Sequence, residues 1–247
     1  MFKQLWTGID ELVYPRHCLL CNTFISASRQ NLIQRHPIPL LCEFCYAGIP
    51  RNFPPFCVRC SHHFRSPGSF CKKCHAHEHA FDFAWSACLY EQPLNRLIYQ
   101  FKYGQKTQLR TLFTRLMLEF INKYGLDIFQ FDAIIPIPLA AARLRERGYN
   151  QSHLLAIGLA QEFQIPLANN LLVRWRYGAN QTQLPQKERW TNIQGAFRIK
   201  PSNIITNKNI LLIDDLLTTG ATASEAATCL KNAGANRVGV FTLAIAW

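Results

Sequence analysis

The chain has 247 residues, with 27 Lys and Arg against 15 Asp and Glu, and a formal net charge of +12. With 49% hydrophobic, 12% aromatic and only 17% charged residues, it can bury a core or two, which excludes wholesale disorder. No apolar run approaches the roughly 18 to 20 residues that cross a bilayer, so no membrane span is expected.

The N-terminal stretch lacks the continuous apolar segment and small-residue cleavage site of a secretory signal, so a cytoplasmic protein is expected. Phe2, Leu5, Trp6, Ile9, Leu12 and Val13 recur at helical spacing and predict a short amphipathic helix, ended by Pro15 and docked on the rest of the protein. Four CxxC pairs follow: Cys18 and Cys21, Cys42 and Cys45, Cys57 and Cys60, Cys71 and Cys74. Two residues between cysteines let both thiolates of a tight turn point at one ion, and two such knuckles supply the four tetrahedral ligands of a structural zinc. The eight thiolates therefore predict two zinc ions, closed to water and substrate. Disulfides would need an oxidising compartment. Gaps of 20 and 10 residues within the first and second halves of the series make consecutive pairing the simplest, while a crossed pairing stays open. His62, His63, His75, His77 and His79 read as surface residues of a polar hinge. Residues 1–80 thus form a small double zinc-ribbon module after the N-terminal helix, and Cys88 and Cys229 are ordinary core cysteines.

From residue 81 the pattern becomes an alternating α/β chain. A strand is predicted over 83–90, helices over 93–103 and 107–124, and a buried strand over 132–138. The segment LAAARLRERGYNQSH after Pro138 is a basic loop or helix whose Arg143, Arg145 and Arg147 could grip a pyrophosphate with their rigid forks. A helix follows over 152–163. Basic and aromatic residues then interleave at Arg174, Trp175, Arg176, Tyr177, Arg189 and Trp190, a pattern that could track a single-stranded backbone and stack its bases. A strand over 209–213, a helix over 221–233 and a strand over 237–247 complete a mostly parallel sheet, whose ligands sit at the carboxyl ends of its strands.

The segment ILLIDDLLTTGATASE carries the most chemistry. Asp214 and Asp215 emerge at a strand end, where they can hold the vicinal hydroxyls of a ribose directly or through hydrated magnesium. Thr218, Thr219, Gly220, Ala221 and Thr222 supply small side chains and successive N–H groups for a phosphate, above the positive end of a helix. Thr222 and Glu225 have capping-box spacing. No GxxxxGK motif is present, so this is not a nucleoside-triphosphate loop.

This strand, carboxylate pair and loop resemble the binding motif for 5-phosphoribosyl 1-pyrophosphate (PRPP) of type I phosphoribosyltransferases. The four knuckles, FKYG around Lys102, PIPL with RLRERGYNQ, QTQL, ERWTN, GAF and DDLLTTGAT together resemble the ComF competence-protein family nearly end to end. Tyr149 stands where Phe is usual and Leu216 where Val is common. The resemblance implies a type I phosphoribosyltransferase-like sheet over residues 81–247, with Asp214 and Asp215 on the ribose of PRPP and 218–222 on its 5-phosphate. It also implies Lys102 as a donor-phosphate contact, residues 174–190 as a flap, and work on single-stranded DNA in natural transformation with other competence proteins. Two functional classes stand: a magnesium-dependent phosphoribosyltransferase, and a non-catalytic adaptor that keeps a relic PRPP site.

Overall fold

The computed structural model describes residues 17–25, 40–57, 59–63, 70–76, 78–175, 186–200 and 205–246. The predicted N-terminal helix lies outside the described residues. Short helices α1 (Glu43–Ala47) and α2 (Lys72–Ala76) each start inside a cysteine knuckle, directly after Cys42 and Cys71, and carry its second cysteine, Cys45 and Cys74. Then come β1 (Phe83–Leu89), α3 (Leu94–Tyr103), α4 (Leu109–Tyr124), β2 (Ala133–Pro136), α5 (Ala141–Arg147) and α6 (Gln151–Phe163). The chain continues with β3 (Leu172–Arg174), α7 (Gln186–Ile193), β4 (Phe197–Ile199), β5 (Asn209–Leu217), α8 (Ala221–Asn232) and β6 (Arg237–Ile245).

Four strands form a parallel sheet in the order β1-β6-β5-β2, and β3 and β4 form a separate antiparallel ribbon. Strands β5 and β6 are nearly continuous apolar runs because helices cover both faces of the sheet. Alternation still sorts the side chains. Leu211 and Ile213 join the core beneath α4 and α6 with Phe113, Leu155 and Phe241, whereas Ile210 and Leu212 join the core beneath α8 with Val240 and Leu230. Gly239 of β6 is required by packing, since a Cβ there would come within 2.8 Å of the Phe131 ring.

The cysteine-bearing segments straddle the β1 edge. Cys18, Leu41 and Ile49 belong to the first core and Cys57, Cys60 and Cys71 to the second. Between them, residues 50–57 and 59 run along β1: Leu89 N–H donates to Pro50 O at 2.9 Å, Asn52 N–H to Ala87 O at 3.0 Å and Ala84 N–H to Arg59 O at 2.8 Å. The edge of the sheet is thereby covered.

Two sequence expectations need correction. Strand β5 does not stop at Ile213 but runs through both carboxylates to Leu217, because β6 is long enough to pair with it as far as Leu217↔Ile245. The loop is only 218–220. Thr222 and Glu225 form no capping box. The N-cap is Gly220, one residue before Ala221, so Thr222 is already helical, and Glu225 instead accepts the Gly195 N–H at 2.7 Å.

Candidate functional site

The cysteines gather into two groups, Cys18, Cys21, Cys42, Cys45 and Cys57, Cys60, Cys71, Cys74, each with its sulfurs within 4.8 Å of one another. This is the consecutive pairing. The Sγ atoms of Cys21 and Cys42 lie 3.7 Å apart and those of Cys60 and Cys71 3.6 Å. These gaps are too long for a disulfide. They match the roughly 3.8 Å edge of a tetrahedron built on metal–sulfur bonds of about 2.3 Å, so the two sets could each hold a metal ion and fit zinc. Backbone amides support the sulfurs, with Cys45 N–H on Cys42 Sγ at 3.5 Å and Cys71 N–H on Cys57 Sγ at 3.3 Å. Crowding sets the second group's thiols against each other: a hydrogen bond from Cys60 pulls Cys57 well below the thiol range, while Cys57 pushes Cys60 above it. A shared cation would relieve that conflict.

Asp214 and Asp215 lie within β5, just past the end of β2 with which it pairs. Asp215 is buried and Asp214 half-buried. Asp214 Oδ1 accepts the Ser152 hydroxyl at 2.8 Å and the Asp215 N–H at 2.9 Å. Loss of water around it, then the neighbouring Asp215 charge, pushes the Asp214 carboxyl up to about 7. Lys102, from the last turn of α3, places Nζ 2.5 Å from Asp215 Oδ2. Burial works against the Lys102 ammonium, but the Asp215 and Asp214 charges outweigh it and hold it above the ordinary lysine value.

Arg147 ends α5 on the same side. It donates to Gln151 Oε1 and to the Tyr103 hydroxyl, both at 3.0 Å. Arg147 Nε and Gln151 Nε2 are buried donors without an acceptor among the described residues, a cost of about 1–3 kcal/mol each that an anion would relieve. Arg143 turns to Glu146 at 2.8 Å. The GYNQS segment is fixed by Asn150, which caps α6 by accepting the Ser152 N–H at 3.1 Å and donates to Ile137 O at 3.0 Å. The Tyr149 hydroxyl donates to Phe101 O. Ser152, Gln151 and Tyr103 were not singled out from sequence. A polar run in a strand-to-helix junction was the available signal, but their partners lie far along the chain.

The loop 218–220 turns on Gly220, at φ +78°, and Thr219 Oγ1 accepts the Ala221 N–H at 3.3 Å. Gly220 has no side-chain cap, so the positive end of α8 faces the loop. A Cβ on Gly220 would lie 2.6 Å from the His79 ring. His79 is therefore no hinge surface residue. It is buried, stacked on Phe81 at 4.6 Å and 5.4 Å from Trp190, because apolar neighbours cover both its faces. Cys60, Cys74, His79 and Phe81 share one small cavity with Leu217, Thr218, Thr219 and Gly220, so the second cysteine group backs the loop. Ala80 N–H also donates to Ser224 Oγ of α8 at 2.9 Å.

The residues proposed for a nucleic-acid strand are only partly placed. Arg174 ends β3, and Trp175 follows it, half exposed with the Arg198 guanidinium 3.7 Å from its ring centroid. Arg176 and Tyr177 lie outside the described residues, and Arg189 lies on α7. Among the described residues, no helix is long and apolar enough to cross a membrane.

Residues 150–245 match the model of the phosphoribosyl transferase domain. The chain is 31% identical to Competence protein F of Haemophilus influenzae, over 83% of this chain and 90% of that one. It is 29% identical to Competence protein ComFC of Bacillus subtilis, over 98% and 99% of the two chains. With DNA utilization protein YhgH of Salmonella typhimurium it shares 27% identity over 94% and 98%.

Proposed function

The chain belongs to the ComF competence-protein family, and on that premise we propose that it binds PRPP with magnesium and handles single-stranded DNA in the cytoplasm. It is a competence or DNA-utilisation protein with a phosphoribosyltransferase domain. The observation that carries the PRPP reading is the carboxylate pair in β5 beyond the end of β2, three residues from a glycine-turned loop at a helix N-terminus. Asp214 and Asp215 would accept the ribose hydroxyls, and Thr218, Thr219, Gly220, Ala221 and Thr222 would cradle the 5-phosphate. Lys102, Arg147 and Arg143 would meet the pyrophosphate. Magnesium, bound with PRPP, would neutralise part of the pyrophosphate charge. The two cysteine groups are read as structural zinc sites, and the division at 80/81 as one between a metal module and a PRPP domain. Arg174, Trp175, Arg176, Tyr177 and Arg189 are assigned to the strand, and competence-machinery partners follow from the family alone.

Titration calorimetry with PRPP and magnesium tests the site. Heats should be lost in the double variant Asp214→Asn with Asp215→Asn, and equal heats in both proteins would overturn the assignment. A second reading, binding without turnover, is favoured by the Lys102–Asp215 ion pair, which fills the carboxylate with an internal cation. Pyrophosphate release from PRPP, with and without single-stranded DNA, separates an enzyme from an adaptor.

A further inference from the structure

One face of α3 carries two large aromatic side chains that the core does not use. Leu94, Leu97, Ile98 and Phe101 bury the inner face. Tyr99 and Tyr103, one turn apart, stay 64% and 43% exposed, with ring centroids 5.0 Å apart. Arg96 lies on the same helical face, one turn before Tyr99.

This pair is joined to the carboxylate site by two routes. Along the chain, Tyr103 follows Lys102, whose Nζ touches Asp215. Across the surface, the Arg147 guanidinium lies 4.8 Å from the Tyr103 ring centroid and donates to its hydroxyl. Its other nitrogen holds Gln151, whose chain neighbour Ser152 is bonded to Asp214. The adjoining chain is basic: Lys106 follows α3, and Arg143 and Arg145 share α5 with the Arg147 that meets Tyr103, against Glu146, which Arg143 pairs with, and Glu91, which precedes α3. Exposed rings set among cations suit one chemistry, flat bases joined by phosphates. Rings supply stacking that tolerates any base, and the cations attract the backbone.

We propose that Tyr99 and Tyr103 form a stacking platform that lays single-stranded DNA across the mouth of the PRPP site. The platform rests on the reading that the protein handles such a strand, and it adds where the strand runs. Arg147 links the two ligands, because its guanidinium meets both the Tyr103 ring and the buried Gln151, whose neighbour Ser152 bonds Asp214.

The test is fluorescence anisotropy of a labelled oligodeoxythymidine with the full-length protein at fixed salt. Tyr99 is the residue to change, since it makes no contact with the carboxylate site. Tyr99→Ala should weaken strand binding about tenfold, within the range for loss of one base stack. Tyr99→Trp should keep it within about twofold, and both variants should give wild-type PRPP heats. Photocrosslinking with a 5-iodouracil-substituted strand should place the adduct on Tyr99 or Tyr103. Undiminished binding by Tyr99→Ala, while the wild type binds, overturns the platform and leaves the DNA reading standing. Failure of the wild-type protein to bind any strand removes both. Displacement of the strand by equal concentrations of thymidine 5′-monophosphate would also overturn the proposal, reassigning the rings to a free nucleotide.

Discussion

Asp214 is the residue whose environment has the clearest measurable consequence. Its carboxyl rises from an ordinary 3.8 to about 7 in the fold. Between those values the folded chain keeps a proton that the unfolded chain has lost, so stability falls as pH rises through that window and is level above it. Asp214→Asn removes the effect. The variant should melt above the wild type at about pH 8, and the difference should shrink to nothing by about pH 4, in thermal unfolding followed across that range. A difference independent of pH would show that the carboxyl is not held protonated. The two carboxylates were legible in sequence because they follow an apolar run and precede a small-residue loop and a helix, a combination that points to one chemistry. Ser152, Gln151 and His79 were not. Ser152 meets Asp214 across 62 positions, and His79 sits in a polar, histidine-rich stretch whose composition suggests solvent while its neighbours in space bury it.

Among the elements, periodicity placed the sheet strands and the main helices, whereas tertiary pairing decided where they ended. Two adjacent aspartates look like a strand end, yet β6 pairs with β5 beyond them. The Thr222 and Glu225 spacing is real, but Gly220 starts the helix too early for it to act. The cysteine spacing made consecutive groups the simplest arrangement, with a crossed pairing open, and left open what the groups lean on. The second group backs the loop 218–220, and the first packs against the other core. Removing one ligand from each should therefore have unequal effects. Cys74→Ser should lose one metal ion and weaken PRPP binding by about tenfold, ~1.4 kcal/mol. Cys21→Ser should also lose one ion but leave PRPP affinity within about twofold. Metal content by atomic absorption, read beside calorimetry, checks both, and equal PRPP losses would sink the claim that only the second group supports the loop.

Across the whole molecule, composition and pattern pointed to a metal module followed by an α/β domain. They did not reveal that the two share their cores. Ile49 and Leu41 pack with the α4 side and Cys57 and Cys71 with the α8 side, while Pro50, Asn52 and Arg59 hydrogen-bond the β1 edge. A chain of residues 81–247 alone should accordingly expose an apolar strand edge and aggregate. Size-exclusion chromatography with light scattering would detect this, and a monodisperse, cooperatively melting fragment would refute it. The order of the strands has a further consequence for synthesis on the ribosome. The last strand among the described residues, β6, lies between β1 and β5, so the sheet cannot close until residues 237–245 have emerged. Until then the two cysteine groups have no sheet to rest on, and a metal ion held by each would let the nascent N-terminal segment keep a shape while it waits.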